Sequence, residues 1–261
     1  MSFLGAIGLS TRRRGANLRY LAALAWSLAR LSFSRSVRHR TVRDVLVRQI
    51  LFTGVEAAWF IILASLLIGV SVVVQAHLWL DRMGQSALLG PILVTVIVRE
   101  LGPLLVNFIV IGRSGTAIAT ELGTMQVSGE VRLLDSQGID PLVYLVWPRV
   151  LGVMVSVFAL TVIFVMFSLI SGYLSGALFG GEIESPLIFI RGVFAAVTPL
   201  DVLNLLAKSF IPGLLTGAIC CAEGLSATAR HEIPQVSTRA VVRSVTALFL
   251  TLVVISVLTY V

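Results

Sequence analysis

The chain has 261 residues, of which 57% are hydrophobic and only 13% are charged, and its mean hydropathy is +0.98. This composition excludes an ordinary water-soluble domain and predicts a protein embedded in a lipid bilayer. The net charge of +7 does not indicate nucleic-acid binding, because ten of the twenty basic residues lie together in the first fifty positions.

We predict that this first region, residues 1–50, is a basic cytoplasmic or interfacial segment. Its apolar stretch, 21–31, is too short to span a bilayer and has arginines on both sides. A cleaved signal peptide is the alternative. The second basic block and the lack of a small-residue cleavage site favour instead a helix that lies on anionic lipid.

Five later segments are long and nearly free of charge: 57–80, 83–112, 150–181, 202–222 and 244–261. A helix needs about 20 apolar residues to cross a hydrocarbon core about 30 Å thick. Because none of the segments alternates with a period of two, they predict helices and not barrel strands. The predicted fold is an all-α integral membrane protein, in which an N-terminal interfacial helix precedes a transmembrane domain of five helices over residues 51–261.

The distribution of arginines predicts the orientation of these spans. Ten basic residues precede the first span, and five more lie in alternate loops, at Arg132, Arg149, Arg230, Arg239 and Arg243. The opposite loops hold only Arg82 and Arg191. Since short cytoplasmic loops are rich in basic residues, we expect a cytoplasmic N-terminus and a periplasmic C-terminus.

The second span carries two adjacent charges, Arg99 and Glu100. Each costs about 2.5–3.5 kcal/mol near the bilayer centre, and adjacent helical side chains point about 100° apart. Each residue therefore needs a partner elsewhere, while Pro103 frees a backbone carbonyl that lipid cannot satisfy. Two interpretations remain open, a buried ion pair between helices and a polar gate for a substrate headgroup.

Other polar residues in the second span follow the helical period. Spacings of seven place Glu100, Asn107 and Ser114 near one face, and Arg99 and Arg113 share another face. We therefore expect this helix to face protein or a cavity on these sides.

Lys208 is the only lysine of the chain and lies in the fourth span, four residues before Pro212. We expect its long side chain to extend to the membrane interface. Pairing with a carboxylate such as Glu100 or Asp201 is the alternative.

The loop between the second and third spans contains a short amphipathic segment. Val127, Val131 and Leu134 recur at helical spacing, and Gly138 followed by Asp140-Pro141 marks an end. We predict a helix over about 124–138 on the cytoplasmic surface. It serves either as a docking site or as a connector that rests on the membrane.

The motifs of membrane-associated enzymes are absent from the sequence. H-E-x-x-H and G-x-S-x-G do not occur, and the adjacent pair Cys220 and Cys221 lacks the spaced partners of a metal site. Ser114 lies in a G-x-S-G run, but no later span offers the histidine that a serine hydrolase requires. With no P-loop either, we expect a transport subunit that is not itself an enzyme, driven by ATP hydrolysis in another polypeptide.

The sequence resembles the MlaE (YrbE-like) permease family. The resemblance rests on several short motifs in order: Arg99-Glu100-Leu101-Gly102-Pro103, Gly112-Arg113-Ser114-Gly115, Glu121-Leu122-Gly123-Thr124-Met125, Gly138-Ile139-Asp140-Pro141 with Pro148-Arg149, Lys208-Ser209, and Thr238-Arg239-Ala240-Val241-Val242. It covers nearly everything after about residue 45.

The resemblance implies the membrane subunit of an ABC-type lipid transporter in the cell inner membrane. Two copies form a homodimer that holds lipid between them, near the residues that match Arg99 and Glu100 and the segment around Gln75 and His77. Two cytoplasmic ATPase subunits bind ATP and Mg²⁺, so this chain holds no cofactor of its own. Periplasmic MCE-domain proteins cap the outer side.

The resemblance also implies that the segment from Glu121 to Asp140 is the coupling helix that contacts the ATPase. The candidate contacts are Glu121, Met125, Glu130, Arg132 and Asp140. Departures from the family pattern fall in the same segment: Gly129 is expected to cost a helix about 1 kcal/mol, and Arg132 reverses an expected charge. Elsewhere Pro212 replaces a common aromatic and His77 a common tyrosine.

A self-contained secondary transporter or channel is the alternative function. It would use Arg99, Glu100 and Lys208 as an ion relay and would respond to membrane potential. No inverted repeat is apparent in the sequence, and five spans do not divide evenly into two halves.

Overall fold

The computed structural model describes residues 40–84, 89–179 and 186–260, and all regular structure within those ranges is helical. The α-helices are Arg40–Ile50, Glu56–Met83, Leu89–Leu93, Gly102–Val110, Thr116–Ser128, Glu130–Ser136, Trp147–Phe179, Pro186–Ala196, Pro199–Gly224 and Ile233–Tyr260. Four π-helical segments, Leu51–Val55, Val94–Leu101, Ile111–Gly115 and Leu142–Val146, adjoin them, and a 3-10 turn, Arg230–Glu232, precedes the last helix. The interfacial helix predicted over 21–31 lies outside the described residues.

Five continuous helices in the described ranges are long and apolar enough to cross a membrane. They are Val42–Leu80, Pro91–Ser128, Leu142–Gly176, Pro199–Gly224 and Arg230–Thr259, which we call the first to fifth spans. The prediction of an all-α protein with five spans is thus confirmed. Most of the helices are longer than the charge-free runs, because a charge marks where a helix leaves hydrocarbon and not where its hydrogen bonding ends.

The helix that begins at Arg40 enters the first span without a break. Its π-helical segment, Leu51–Val55, connects Arg40–Ile50 directly to Glu56–Met83. No loop therefore separates the basic N-terminal region from the membrane domain at the predicted boundary between residues 50 and 51.

The first and third spans pack closely through small residues. A Cβ atom added at Gly69 would lie 2.2 Å from the carbonyl oxygen of Ser168, and one added at Gly172 would lie 2.3 Å from Val73 Cγ2. No side chain fits at such distances, so both glycines are required for the backbones to approach. Gly176, one turn further, has more space, since its nearest neighbour would lie at 3.9 Å.

The fourth span is the most deeply buried of the five spans. It contacts the second, third and fifth spans, and a Cβ atom added at its Gly217 would lie 2.8 Å from the Cα atom of Val150 in the third span. The polar residues Asp201 and Lys208 of this helix are buried among its neighbours.

Candidate functional site

Pro103 interrupts the backbone hydrogen bonding of the second span. Proline has no N–H, so the carbonyl of Arg99, four residues earlier, loses its α-helical donor. The ammonium of Lys208 takes the place of that donor, with Nζ 2.9 Å from the Arg99 carbonyl oxygen. A side chain of the fourth span thus satisfies the carbonyl that Pro103 leaves unpaired.

The fourth span contains a matching interruption at Pro212. The carbonyl that loses its α-helical donor here is that of Lys208. Asn107 Nδ2 of the second span donates to this carbonyl at 3.3 Å and to the Pro103 carbonyl at 2.8 Å. Each of the two helices therefore donates a hydrogen bond to the backbone carbonyl that the proline of the other helix leaves without an α-helical donor.

Two ion pairs connect the same helices. Lys208 Nζ lies 2.6 Å from Glu100 Oε1, and Arg99 contacts Asp201 through two atoms, Nε to Oδ1 at 2.6 Å and Nη2 to Oδ2 at 3.1 Å. The side chains of Lys208 and Asp201 are completely buried. Arg99, Glu100, Asp201 and Lys208, which we call the charge cluster, carry no net formal charge.

Some of the expectations about these residues are confirmed and one is wrong. The partners of Arg99 and Glu100 do lie on another helix, as the angle between adjacent side chains predicted. The expectation that Lys208 extends to the interface is wrong, because a carboxylate and a freed carbonyl both accept from its ammonium inside the bundle. The alternative, pairing with Glu100, is correct.

Sequence reasoning missed Asp201 as the partner of Arg99. A local signal did exist, since Thr198-Pro199 followed by an acid at the third helical position is a helix-capping pattern. The Asp201 carboxylate accepts hydrogen bonds from the backbone N–H of Thr198 at 2.9 Å and from its hydroxyl at 2.8 Å. The same carboxylate therefore caps the N-terminus of the fourth span and neutralises the charge of Arg99 in the second span.

Glu100 is the member of the charge cluster that is most open to its surroundings. Its side chain is 51% exposed, compared with 23% for Arg99. Oε1 accepts from Lys208 and, at 3.1 Å, from the hydroxyl of Ser256 in the fifth span, a contact for which the sequence gives no signal. Within the described part of the chain, no hydrogen-bond donor reaches Oε2.

An apolar cavity of about 530 Å³ lies between the first span and the first turns of the second. Its lining residues are Ser71, Val72, Gln75, Ala76, Trp79, Leu80, Met83, Ile92 and Val96. Gln75 thus lies where a ligand fits, whereas His77, Arg99 and Glu100 are not among the lining residues. Val96 nevertheless precedes Glu100 by only one helical turn. The size and apolar character are typical of small-molecule sites.

Comparison with known families identifies the family of the chain. A family described as "Permease MlaE" matches residues 46–258, which is most of the chain. The chain belongs to the MlaE permease family.

Individual relatives of this permease agree with that assignment. It is 28% identical to a probable ABC transporter permease protein of Rickettsia conorii, over 81% of each chain. It is 31% identical to TRIGALACTOSYLDIACYLGLYCEROL 1, a chloroplastic protein of Arabidopsis thaliana, over 78% of this chain and 58% of that one. It is 26% identical to the intermembrane phospholipid transport system permease protein MlaE of Haemophilus influenzae, over 77% of each. The prediction of a transport subunit that is not an enzyme is thereby confirmed.

Arg113 of the permease lies apart from the charge cluster. It pairs with Glu56 at 2.7 Å, donates to the Phe52 carbonyl at 3.0 Å and lies over the Phe52 ring. That carbonyl is available because the π-helical segment bonds the Glu56 N–H to Leu51 instead. The π-helical segments of the second span shift its helical phase, so the shared face predicted for Arg99 and Arg113 does not produce a shared site.

Gly129 divides the predicted coupling helix in two. The second span continues to Ser128, Gly129 adopts a left-handed φ of +84°, and a separate short helix follows over Glu130–Ser136. The expectation of one helix over about 124–138, weakened by Gly129, is therefore corrected: glycine is the favoured residue for this left-handed helix end. Gly138, with a φ of +77°, follows the short helix.

The candidate ATPase contacts occupy different positions around this joint. Glu130, Arg132 and Asp140 are exposed, and Met125 is half-buried against the core. Glu121 pairs at 2.7 Å with the buried Arg149, which holds the end of the second span against the start of the third. Within the short helix no residue is buried, and Leu133 is exposed as well.

Proposed function

We propose that this permease moves phospholipid or a related lipid between the inner membrane and a periplasmic MCE-domain protein. The observation that carries the proposal is a half-exposed carboxylate, Glu100, one turn from Val96, which lines the apolar cavity between the first and second spans. An amphiphile suits this combination because its tails match the cavity lining and its headgroup can meet the carboxylate. The Haemophilus influenzae relative is an intermembrane phospholipid transport system permease protein, and its similarity over most of the chain supports the same substrate class.

The working unit in this proposal is a homodimer with the lipid between its copies. Lys208 and Ser256 contact only Oε1 of Glu100, and half of the side chain stays exposed. A charge that faces hydrocarbon costs up to about 2.5–3.5 kcal/mol at mid-membrane depth, and a polar neighbour beyond the chain would remove that cost. A second copy that encloses a lipid supplies one. The arginine distribution supports an orientation with the N-terminus in the cytoplasm and the C-terminus in the periplasm.

Transport is driven by a cytoplasmic ATPase, which binds the ATP and Mg²⁺. We assign its docking site to the helix Glu130–Ser136 and the following Asp140, because no residue of this helix is buried and Glu130, Arg132 and Asp140 are exposed. ATPase closure would move this helix, and the continuous second span would carry the movement to Glu100.

Site-specific photocrosslinking tests where the lipid lies. A photoreactive residue replacing the cavity-lining Val96 is expected to capture lipid in the assembled transporter, and ATP is expected to reduce this capture. The matched control replaces Val254, which is exposed on the fifth span about 200° around the helix from Ser256. There, capture of bulk lipid should not respond to ATP. Equal ATP responses at both positions would contradict the proposal.

Charge reversal tests the docking site. Arg132→Glu is expected to reduce copurification of the ATPase without changing the thermal stability of the permease, since Arg132 is exposed. Arg82→Glu, exposed at the other end of the bundle, is the control. Undiminished copurification of the Arg132 variant would count against docking at this helix.

Reconstitution of the permease in lipid vesicles, with and without its ATPase, distinguishes the proposal from a self-contained transporter. That alternative predicts transport by the permease alone, driven by membrane potential. The proposal predicts that the permease without its ATPase does not move lipid.

A further inference from the structure

Each cation of the charge cluster is already paired with a carboxylate of the same chain. The two positive groups of the cluster are balanced by two carboxylates, and Lys208 is completely buried beneath Glu100. Arg99 contacts both oxygens of Asp201, whose side chain is also completely buried. A phosphate that took Arg99 from Asp201 would leave an unpaired charge in the protein interior, which is strongly unfavourable.

Glu100 instead offers an available hydrogen-bond acceptor. Both of its contacts use Oε1, and within the described residues nothing donates to Oε2, on a side chain that is half exposed. An ionised carboxylate only accepts hydrogen bonds, so its natural partner is a donor. An ammonium or hydroxyl group on a lipid headgroup is such a donor.

We propose that Glu100 selects lipids whose headgroup carries a hydrogen-bond donor, an ammonium or a hydroxyl, over lipids that present only a phosphate or a quaternary amine. This inference rests on the proposed function and specifies its headgroup contact, which becomes a hydrogen bond from a headgroup donor to Glu100. Arg99 then acts as a positioning residue that holds the second span against the fourth.

Two pairs of lipids test this selection at constant headgroup charge. Phosphatidylglycerol and phosphatidylmethanol are both anionic, but only the first has headgroup hydroxyls. Phosphatidylethanolamine and phosphatidylcholine are both zwitterionic, but only the first has N–H donors. The intact transporter, with its ATPase and MCE protein, is placed in bilayers that contain equal amounts of one pair with identical acyl chains. Mass spectrometry then gives the ratio of the two lipids transferred to the MCE protein.

We expect the donor lipid to be favoured about tenfold in each pair, since a hydrogen bond to a charged group has that effect on an equilibrium. The double variant Glu100→Leu with Lys208→Gln removes the acceptor and both charges together and should bring the ratio towards one. Glu56→Leu with Arg113→Gln makes the same change at the distant ion pair and should leave the ratio as it is.

The outcomes separate this inference from the proposed function. Transfer of lipid by the unaltered transporter with a ratio near one would overturn the selection and leave lipid transport standing. A high ratio that survives the Glu100 and Lys208 change would remove Glu100 as its cause. No transfer of any lipid would overturn both. If the double variant does not fold, the ratio of the unaltered transporter still decides.

Discussion

Asn107 provides the sharpest test of how the two proline-containing helices are held together. Its side chain is buried, and Nδ2 donates to the Lys208 carbonyl that Pro212 leaves without an α-helical donor. Asn107→Leu preserves size but removes this donor. A buried carbonyl without a partner costs about 1–3 kcal/mol, so we expect a loss of stability of that order.

Pro212→Ala should suppress much of this loss. Alanine at position 212 restores a backbone N–H, which can bond the Lys208 carbonyl as in any α-helix. In the Pro212→Ala background the cost of Asn107→Leu should therefore fall by about 1 kcal/mol, within the range measured for directly coupled residues. Effects of the proline on the unfolded chain cancel in this comparison.

The double-mutant cycle is measured by unfolding the purified permease in detergent micelles. Pro199→Ala is the matched control, because Pro199 occupies the first turn of the fourth span, where no backbone N–H is required. It should show no coupling to Asn107→Leu. A coupling in the Pro212 cycle within about 0.3 kcal/mol of zero would refute the mutual hydrogen bonding of the two helices.

Three further predictions concern stability and can be checked by thermal unfolding of the same preparation. Asp201→Asn should cost about 3 kcal/mol, because it breaks a buried ion pair and weakens a helix cap, whereas Glu56→Gln at a more exposed pair should cost less than about 1 kcal/mol; equal losses would contradict the difference in burial. Gly69→Ala should destabilise by about 1–3 kcal/mol through overpacking, while Gly176→Ala, which has space for a methyl group, should be near neutral. Gly129→Ala should cost about 1 kcal/mol, because alanine is strained at this positive φ, and it should also lower copurification of the ATPase. If the substitution stabilised the protein instead, that result would favour the prediction of a single continuous coupling helix.

The overall fold was predictable because hydrophobic length alone identifies membrane spans. The charge-free runs located all five spans, although the helices continue past charges such as Arg113 and Glu121. The sequence also predicted that Arg99 and Glu100 need ionic partners on other helices, because they cannot neutralise each other from adjacent helical positions.

The identities of the partners were not predictable from local patterns. Lys208 lies where two proline-containing helices meet: its ammonium donates to the carbonyl that Pro103 frees, and Asn107 donates to the Lys208 carbonyl that Pro212 frees. The π-helical segments also escape sequence reasoning, since they add a residue to a turn without a distinct composition. They alter the phase of the second span, and Arg99 and Arg113, fourteen residues apart, do not share a site. Glu100 and Asn107, seven residues apart, do both contact Lys208, as the helical spacing predicted.

At Gly129 the sequence-based prediction failed for a different reason: it treated residue 129 as part of a helix interior, whereas this residue lies at a helix end. Glycine weakens a helix interior, but at φ +84° it ends one helix and begins the next. Only the backbone conformation distinguishes the two roles.

Transfer of labelled phospholipid from proteoliposomes to a soluble MCE-domain protein tests the central claim most directly. We predict transfer only when permease, ATPase and ATP are all present, and a strong reduction when Glu100 and Lys208 are both replaced by glutamine. Ion movement by the permease alone, driven by membrane potential and without any lipid transfer in the complete system, would contradict the claim.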